Sequence, residues 1–176
     1  MADIREPRIE KVTINIGVGE GGERLRKAEQ VLQEITKQKP IFTISRTINK
    51  DWGIRKEMPI GCKVTLRGDK AMDFLKRALW TRNNKIADWS FDKEGNVSFG
   101  IPDHTEFEGM KYDPNIGIFG FDVSIRLVRP GYRVRTRKIK RARIPRKQYV
   151  SKEETMLFME EEFKAEIVEK IEIFWY

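Results

Sequence analysis

Residues 10–17, Glu10-Lys11-Val12-Thr13-Ile14-Asn15-Ile16-Gly17, decide how the chain is read. On an extended backbone Val12, Ile14 and Ile16 fall on one side, and Lys11, Thr13 and Asn15 on the other. Successive side chains alternate across a strand, so the stretch predicts a strand with one buried and one open face. Two more segments share the pattern: Phe42 and Ile44 alternate with Thr43 and Ser45, and Val64 and Leu66 with Lys63, Thr65 and Arg67. The clearest alternation sets Phe121, Val123, Ile125 and Leu127 against Asp122, Ser124 and Arg126. Asn96–Ile101 makes a shorter predicted strand.

Helical spacing fills the gaps. Leu25, Ala28, Val31, Leu32 and Ile35 form one apolar stripe, ended by Pro40, and Ala71, Phe74, Leu75, Ala78 and Leu79 form a second. Ser151-Lys152-Glu153-Glu154 fits a capping box that opens a third helix. Residues 48–60 and 102–119 carry no period and read as loops. The order β-α-β-β-α-β-β-α predicts an α+β fold in two layers, an antiparallel or mixed sheet with helices on one face only. Nothing marks a boundary, so residues 1–176 are expected to form a single domain, with a basic arm over 129–148 and an apolar tail over 165–176.

Charge is concentrated. The total is +8, yet Arg126–Lys147 alone holds eleven basic residues and no acid, which leaves the rest of the chain at −3. Arginine outnumbers lysine there by eight to three, which suits bidentate phosphate contacts. The run lacks the apolar helical face of a membrane-surface segment, and no helix-turn-helix or zinc-finger pattern accompanies it. Structured RNA is the expected partner, ahead of DNA or a membrane. A lone cysteine, the absence of an apolar spanning run and a polar start predict a soluble cytoplasmic chain.

The catalytic inventory is short. Gly17-Val18-Gly19-Glu20-Gly21-Gly22 satisfies the dinucleotide fingerprint between a strand and a helix. Against a nucleotide-dependent enzyme stand the polar face of the preceding strand, the acid Glu20 beside the supposed phosphates, and the lack of a second binding half. Cys62 and His104 are each the only residue of their type, so no metal cluster is expected, nor any cofactor. The polar strand positions repeat instead. Lys11, Thr13, Asn15, Thr43, Ser45, Lys63, Thr65 and Arg67 include no acid, and as neighbours in one sheet they would make a platform for an anionic ligand. Without exposed aromatics such a platform would bind through hydrogen bonds to phosphate, ribose and base edges.

Several long motifs then bring a family into view. Lys11–Gly19, Gln38-Lys39-Pro40, Met58–Gly68 with Phe74-Leu75, Tyr112–Gly120, Arg129-Pro130-Gly131 and Ser151–Glu154 resemble the large-subunit ribosomal protein L-five family, in its archaeal and eukaryotic branch. The resemblance runs over roughly residues 7–165. It implies a non-enzymatic ribosomal protein with a five-stranded, mainly antiparallel sheet that anchors 5S ribosomal RNA in the central protuberance. The family's 5S contacts map onto Lys11, Asn15, Gln38 and Thr65; with Thr13, Thr43, Ser45, Lys63 and Arg67 these make the expected 5S-binding set. The loop Lys50–Met58 resembles one that approaches the transfer RNA in the peptidyl site, with Lys50, Trp52, Arg55 and Lys56 as candidates. Further implied partners are large-subunit RNA, other proteins of the protuberance and a small-subunit protein across an intersubunit bridge. Arg133, Arg135, Arg137, Lys138, Lys140, Arg141, Arg143, Arg146 and Lys147 are assigned to ribosomal RNA in general.

Overall fold

A computed structural model describes residues 6–169; the predicted apolar end Ile171–Tyr176 and the first five residues lie outside the described residues. The alternating stretch becomes β1 (Arg8–Gly17), whose Val12, Ile14 and Ile16 are fully buried. It lies at the centre of a five-stranded sheet. On one side it pairs with β3 (Pro59–Leu66), itself flanked by β2 (Ile41–Ile44); on the other it pairs with β6 (Phe121–Val128), flanked by β5 (Asn96–Ile101). Every neighbouring pair in this sheet is antiparallel.

Helices α1 (Glu23–Thr36) and α2 (Asp69–Thr81) turn the two predicted stripes onto the Val12–Ile16 side of the sheet. Helix α1 ends at Lys37, whose left-handed φ of 51° lets its N–H reach the Gln33 carbonyl. Helix α4 (Lys152–Phe163) opens with the expected box: the Ser151 hydroxyl accepts the Glu154 N–H at 3.3 Å and the Glu154 carboxylate accepts the Ser151 N–H at 3.1 Å. Its Met159 and Phe163 join the same core, which Phe74, Phe107 and Phe121 bind together through stacked and edge-on contacts. A short helix α3 (Arg133–Thr136) sits in the basic segment.

Three local expectations need correction. A second, two-stranded parallel sheet joins β4 (Lys85–Ala87) to β7 (Glu166–Val168), so part of the predicted tail is a strand. Phe42 and Ile44 do not enter the core: Ile41, Phe42 and Ile44 are 68, 42 and 58% exposed on the edge strand β2. The register there shifts between Thr43 and Ile44, setting Ile44 opposite Pro59 and so on the open side. Ser45 falls beyond the strand and is buried, its hydroxyl donating to the Thr47 carbonyl at 2.7 Å.

Among the glycines of the sheet, Gly61 has the least room for a side chain. A Cβ there would lie 2.7 Å from the Ile16 carbonyl oxygen and 2.8 Å from Thr43 Oγ1. Gly61→Ala should therefore cost about 1–3 kcal/mol by overpacking, read as a lowered midpoint in chemical denaturation.

Candidate nucleic-acid interface

With both helices on one side, residues of odd number from Lys11 to Gly17 face solvent, and the partners across the sheet arrange them in rows. One row holds Asn96, Arg126 and Lys11. The next is made of hydroxyls: Ser98, Ser124, Thr13 and Thr65 lie side by side on four strands. At the usual strand spacing this line is about 14 Å long. The third row runs Gly100, Asp122, Asn15, Lys63 and Ile41, and the fourth brings Gly17, Gly61 and Thr43 together. Lys11, Thr13, Asn15, Thr43, Lys63 and Thr65 thus share one surface, as the alternation predicts. Arg67 follows directly on β3 and donates to the Glu10 carbonyl at 3.2 Å.

The surface is wider and less purely basic than expected. Strand β6 contributes Asp122 beside Asn15. Between Ile9 and Lys11 the register shifts, and Glu10, half-buried at that irregularity, pairs with Arg126 at 3.3 Å and Arg67 at 3.8 Å. Alternation in β6 announced these polar side chains; only the long-range pairing of β6 with β1 puts them on the same platform. Gln38 is exposed three residues before β2, at the corner between the helix layer and the sheet edge.

The loop after β2 is a projecting finger. Ser45 and Glu57–Met58 continue the β2–β3 hairpin, with Ser45 N–H to the Met58 carbonyl and Glu57 N–H to the Ser45 carbonyl, both at 2.9 Å. Asn49 and Ile54 then exchange two backbone hydrogen bonds of 2.9 Å, and Asn49 Oδ1 accepts the N–H groups of Asp51 and Trp52. Lys50, Trp52, Arg55 and Lys56 are all exposed, Trp52 by 75%.

The basic segment is a folded lobe built on Tyr132, which is buried and meets Tyr149 edge-on; Ile144 is buried as well, and Val150 joins the main core. The Tyr132 hydroxyl accepts from Arg126 and, at 2.7 Å, from Arg135, which also lies over the Tyr149 ring at 5.1 Å. Arg129 closes the base, donating to the Lys147 carbonyl at 3.0 Å and to the Glu154 carboxylate at 2.5 Å. Arg135 is spent on this framework, whereas Arg133, Arg137, Lys138, Lys140, Arg141, Arg143, Arg146 and Lys147 are exposed. The signal for the framework was present in the sequence as two tyrosines bracketing the basic run.

The other chemical candidates have structural roles. The Val18 and Gly19 N–H groups both donate to the Ile60 carbonyl, at 3.0 and 2.9 Å, instead of opening toward a phosphate. His104 is buried and its Nδ1 accepts the Phe119 N–H at 3.2 Å, which pins the 102–119 loop. Burial, with Glu29 adding to it, pushes the Cys62 thiol up to about 11, far from a nucleophilic thiolate. Among the described residues no group of three or more His, Cys, Asp and Glu could hold a metal ion, and no helix is long and apolar enough to cross a membrane.

Residues 3–55 match the family model described as "Ribosomal protein L5", and residues 59–162 match the model for the C-terminus of the same ribosomal protein family. The chain belongs to the ribosomal protein L-five family. The protein named "Large ribosomal subunit protein uL5" from Sulfurisphaera tokodaii is 54% identical, with 94% of each chain covered. Its namesake from Sulfolobus acidocaldarius is 52% identical over 94% of this chain and 93% of its own. That of Methanosphaera stadtmanae is 49% identical over 93% and 98%. Family membership makes the chain a structural ribosomal protein and not an enzyme.

Two measurements check these assignments. Tyr132→Ala should open the lobe, so limited trypsin digestion should cleave within 133–147 several-fold faster than in the parent. Because the folded Cys62 titrates above its ordinary 9.0, it contributes stability that is complete below pH 9 and lost as pH rises toward 11. Cys62→Ala should therefore flatten the fall in stability over that interval, measured by urea denaturation at successive pH values.

Proposed function

We propose that the chain is a structural protein of the large ribosomal subunit that holds 5S ribosomal RNA on the open face of its sheet. The observation that carries this reading is the run of hydrogen-bonding rows in which Lys11, Thr13, Asn15, Lys63 and Thr65 stand side by side on paired strands. A backbone fixed by the sheet needs no ordering on binding, so only side-chain rotamers are immobilised when these rows meet phosphate, ribose or base edges. Cations at Lys11, Lys63 and Arg67 supply the salt-sensitive part. Gln38 extends the same contact around the sheet edge.

The exposed cations of the lobe, from Arg133 to Lys147, contact large-subunit RNA as phosphate ligands, the arginines in bidentate fashion. The finger reaches toward transfer RNA in the peptidyl site, where Lys50, Arg55 and Lys56 meet phosphates and Trp52 offers a stacking plane. Remaining surface faces other proteins of the central protuberance and a small-subunit protein across an intersubunit bridge. The names of the relatives support the large subunit, and the polar rows support RNA in preference to a protein partner.

Asn15→Ala and Thr65→Ala should each weaken 5S RNA binding about five- to tenfold, the loss of one or two hydrogen bonds, with thermal melting unchanged. If both variants bind 5S RNA as the parent does, the sheet face is not the site. Replacing Arg137, Lys138 and Arg141 together by alanine should spare 5S binding and weaken binding to large-subunit RNA, measured by filter retention.

A further inference from the structure

The half of the open face that lies on β6 and β5 has no part in the proposed 5S contacts, yet it holds a shallow depression of about 410 Å³ that reaches across to β1. Lys11 and Thr13 of β1 line one side of it, Arg126 and Ser124 of β6 the middle, and Asp92, Asn96 and Ser98 the β5 side. The Ser98 hydroxyl donates to Ser124 Oγ at 3.3 Å, at the end of the hydroxyl row that continues through Thr13 and Thr65. Asn96 Nδ2 donates to Asp92 Oδ2 at 3.0 Å. A carboxylate can only accept, so this bond fixes the amide's orientation and leaves Asn96 Oδ1 as a free acceptor.

The two sides ask for different chemistry. Lys11 suits a phosphate, and Arg126, already held by the Glu10 carboxylate and the Tyr132 hydroxyl, adds its charge nearby. Asp92 repels one, but beside it stand a fixed acceptor and two hydroxyls that can donate or accept. A ribose fits this division: its 2′-hydroxyl donates to Asn96 Oδ1 and accepts from a serine while the adjoining phosphate meets the cations. We propose that the depression is a ribose-reading subsite, which takes the 2′-hydroxyl of an RNA nucleotide and thereby distinguishes RNA from DNA on this face. The subsite rests on the sheet-face reading, since it is the same surface continued across β6 to β5.

The test is interference mapping on full-length protein, with 5S RNA transcripts carrying 2′-deoxy nucleotides at random positions. The parent should show interference at a small number of nucleotides. Ser98→Ala/Ser124→Ala, both exposed and without core contacts, should bind unmodified 5S RNA about five- to tenfold more weakly and lose interference at one or two of those nucleotides. Asn96→Ala should lose the same ones. Asn15→Ala, on the other half of the face, should weaken binding and retain them. If the serine variant binds as the parent does with an unchanged map, the subsite is refuted, and weakened binding by Asn15→Ala then leaves the sheet-face reading standing. Weaker binding with an unchanged map also refutes it, because the contact is then to phosphate alone. Parent-like binding by the serine and Asn15 variants alike overturns both readings.

Discussion

The two-sided pairing of β1 is the constraint on which the molecule depends. Paired with β3 on one edge and β6 on the other, the strand has no backbone freedom left, and its period of two fixes which side chains see the helices. A slip of one residue against either neighbour would bury Lys11, Thr13 and Asn15 and expose Val12, Ile14 and Ile16, at a cost of several kcal/mol in desolvated polar groups alone. Stability and recognition are therefore enforced by the same register. The packing of Leu32, Leu75 and Leu79 under the sheet holds the polar rows in place above it.

Electrostatics divides the labour along the chain. On the sheet the charges are interleaved: Glu10 restrains Arg67 and Arg126, and Asp122 and Lys63 flank Asn15 from opposite sides. A face balanced in this way is suited to matching donors and acceptors more than to attracting charge. In the lobe, by contrast, eight exposed cations have no acid among them. Their mutual repulsion is contained by burial of Tyr132, Ile144 and Val150 and by the Arg129–Glu154 pair at the base.

Much of this could be read from the residues. The buried and open faces of β1, β3 and β6 follow from strict alternation, both sheet-covering helices from their stripes, and α4 from its capping box. What escaped had no local signal. Ile44 reaches the open side because of a register shift, which alternation within β2 cannot reveal. Strands β4 and β7 are three residues each, too short to show a period. The membership of Asp122, Ser124 and Arg126 in the open polar face depends on a pairing between positions more than a hundred residues apart. Order in the basic lobe is the exception: Tyr132 and Tyr149 bracket the run, but a count of charges hides the tyrosine that accepts two arginines.

That long-range pairing also sets the timing of the protein's own birth. Arg8 meets Val128, so loop closure across most of the chain must precede completion of the central strand. During synthesis the early strands and α1 emerge with one edge of β1 unpaired, and the sheet waits for β6 to clear the exit tunnel. High separation between partners also slows refolding of the free chain. The open polar face and the central strand are thus completed only once β6 is available to pair.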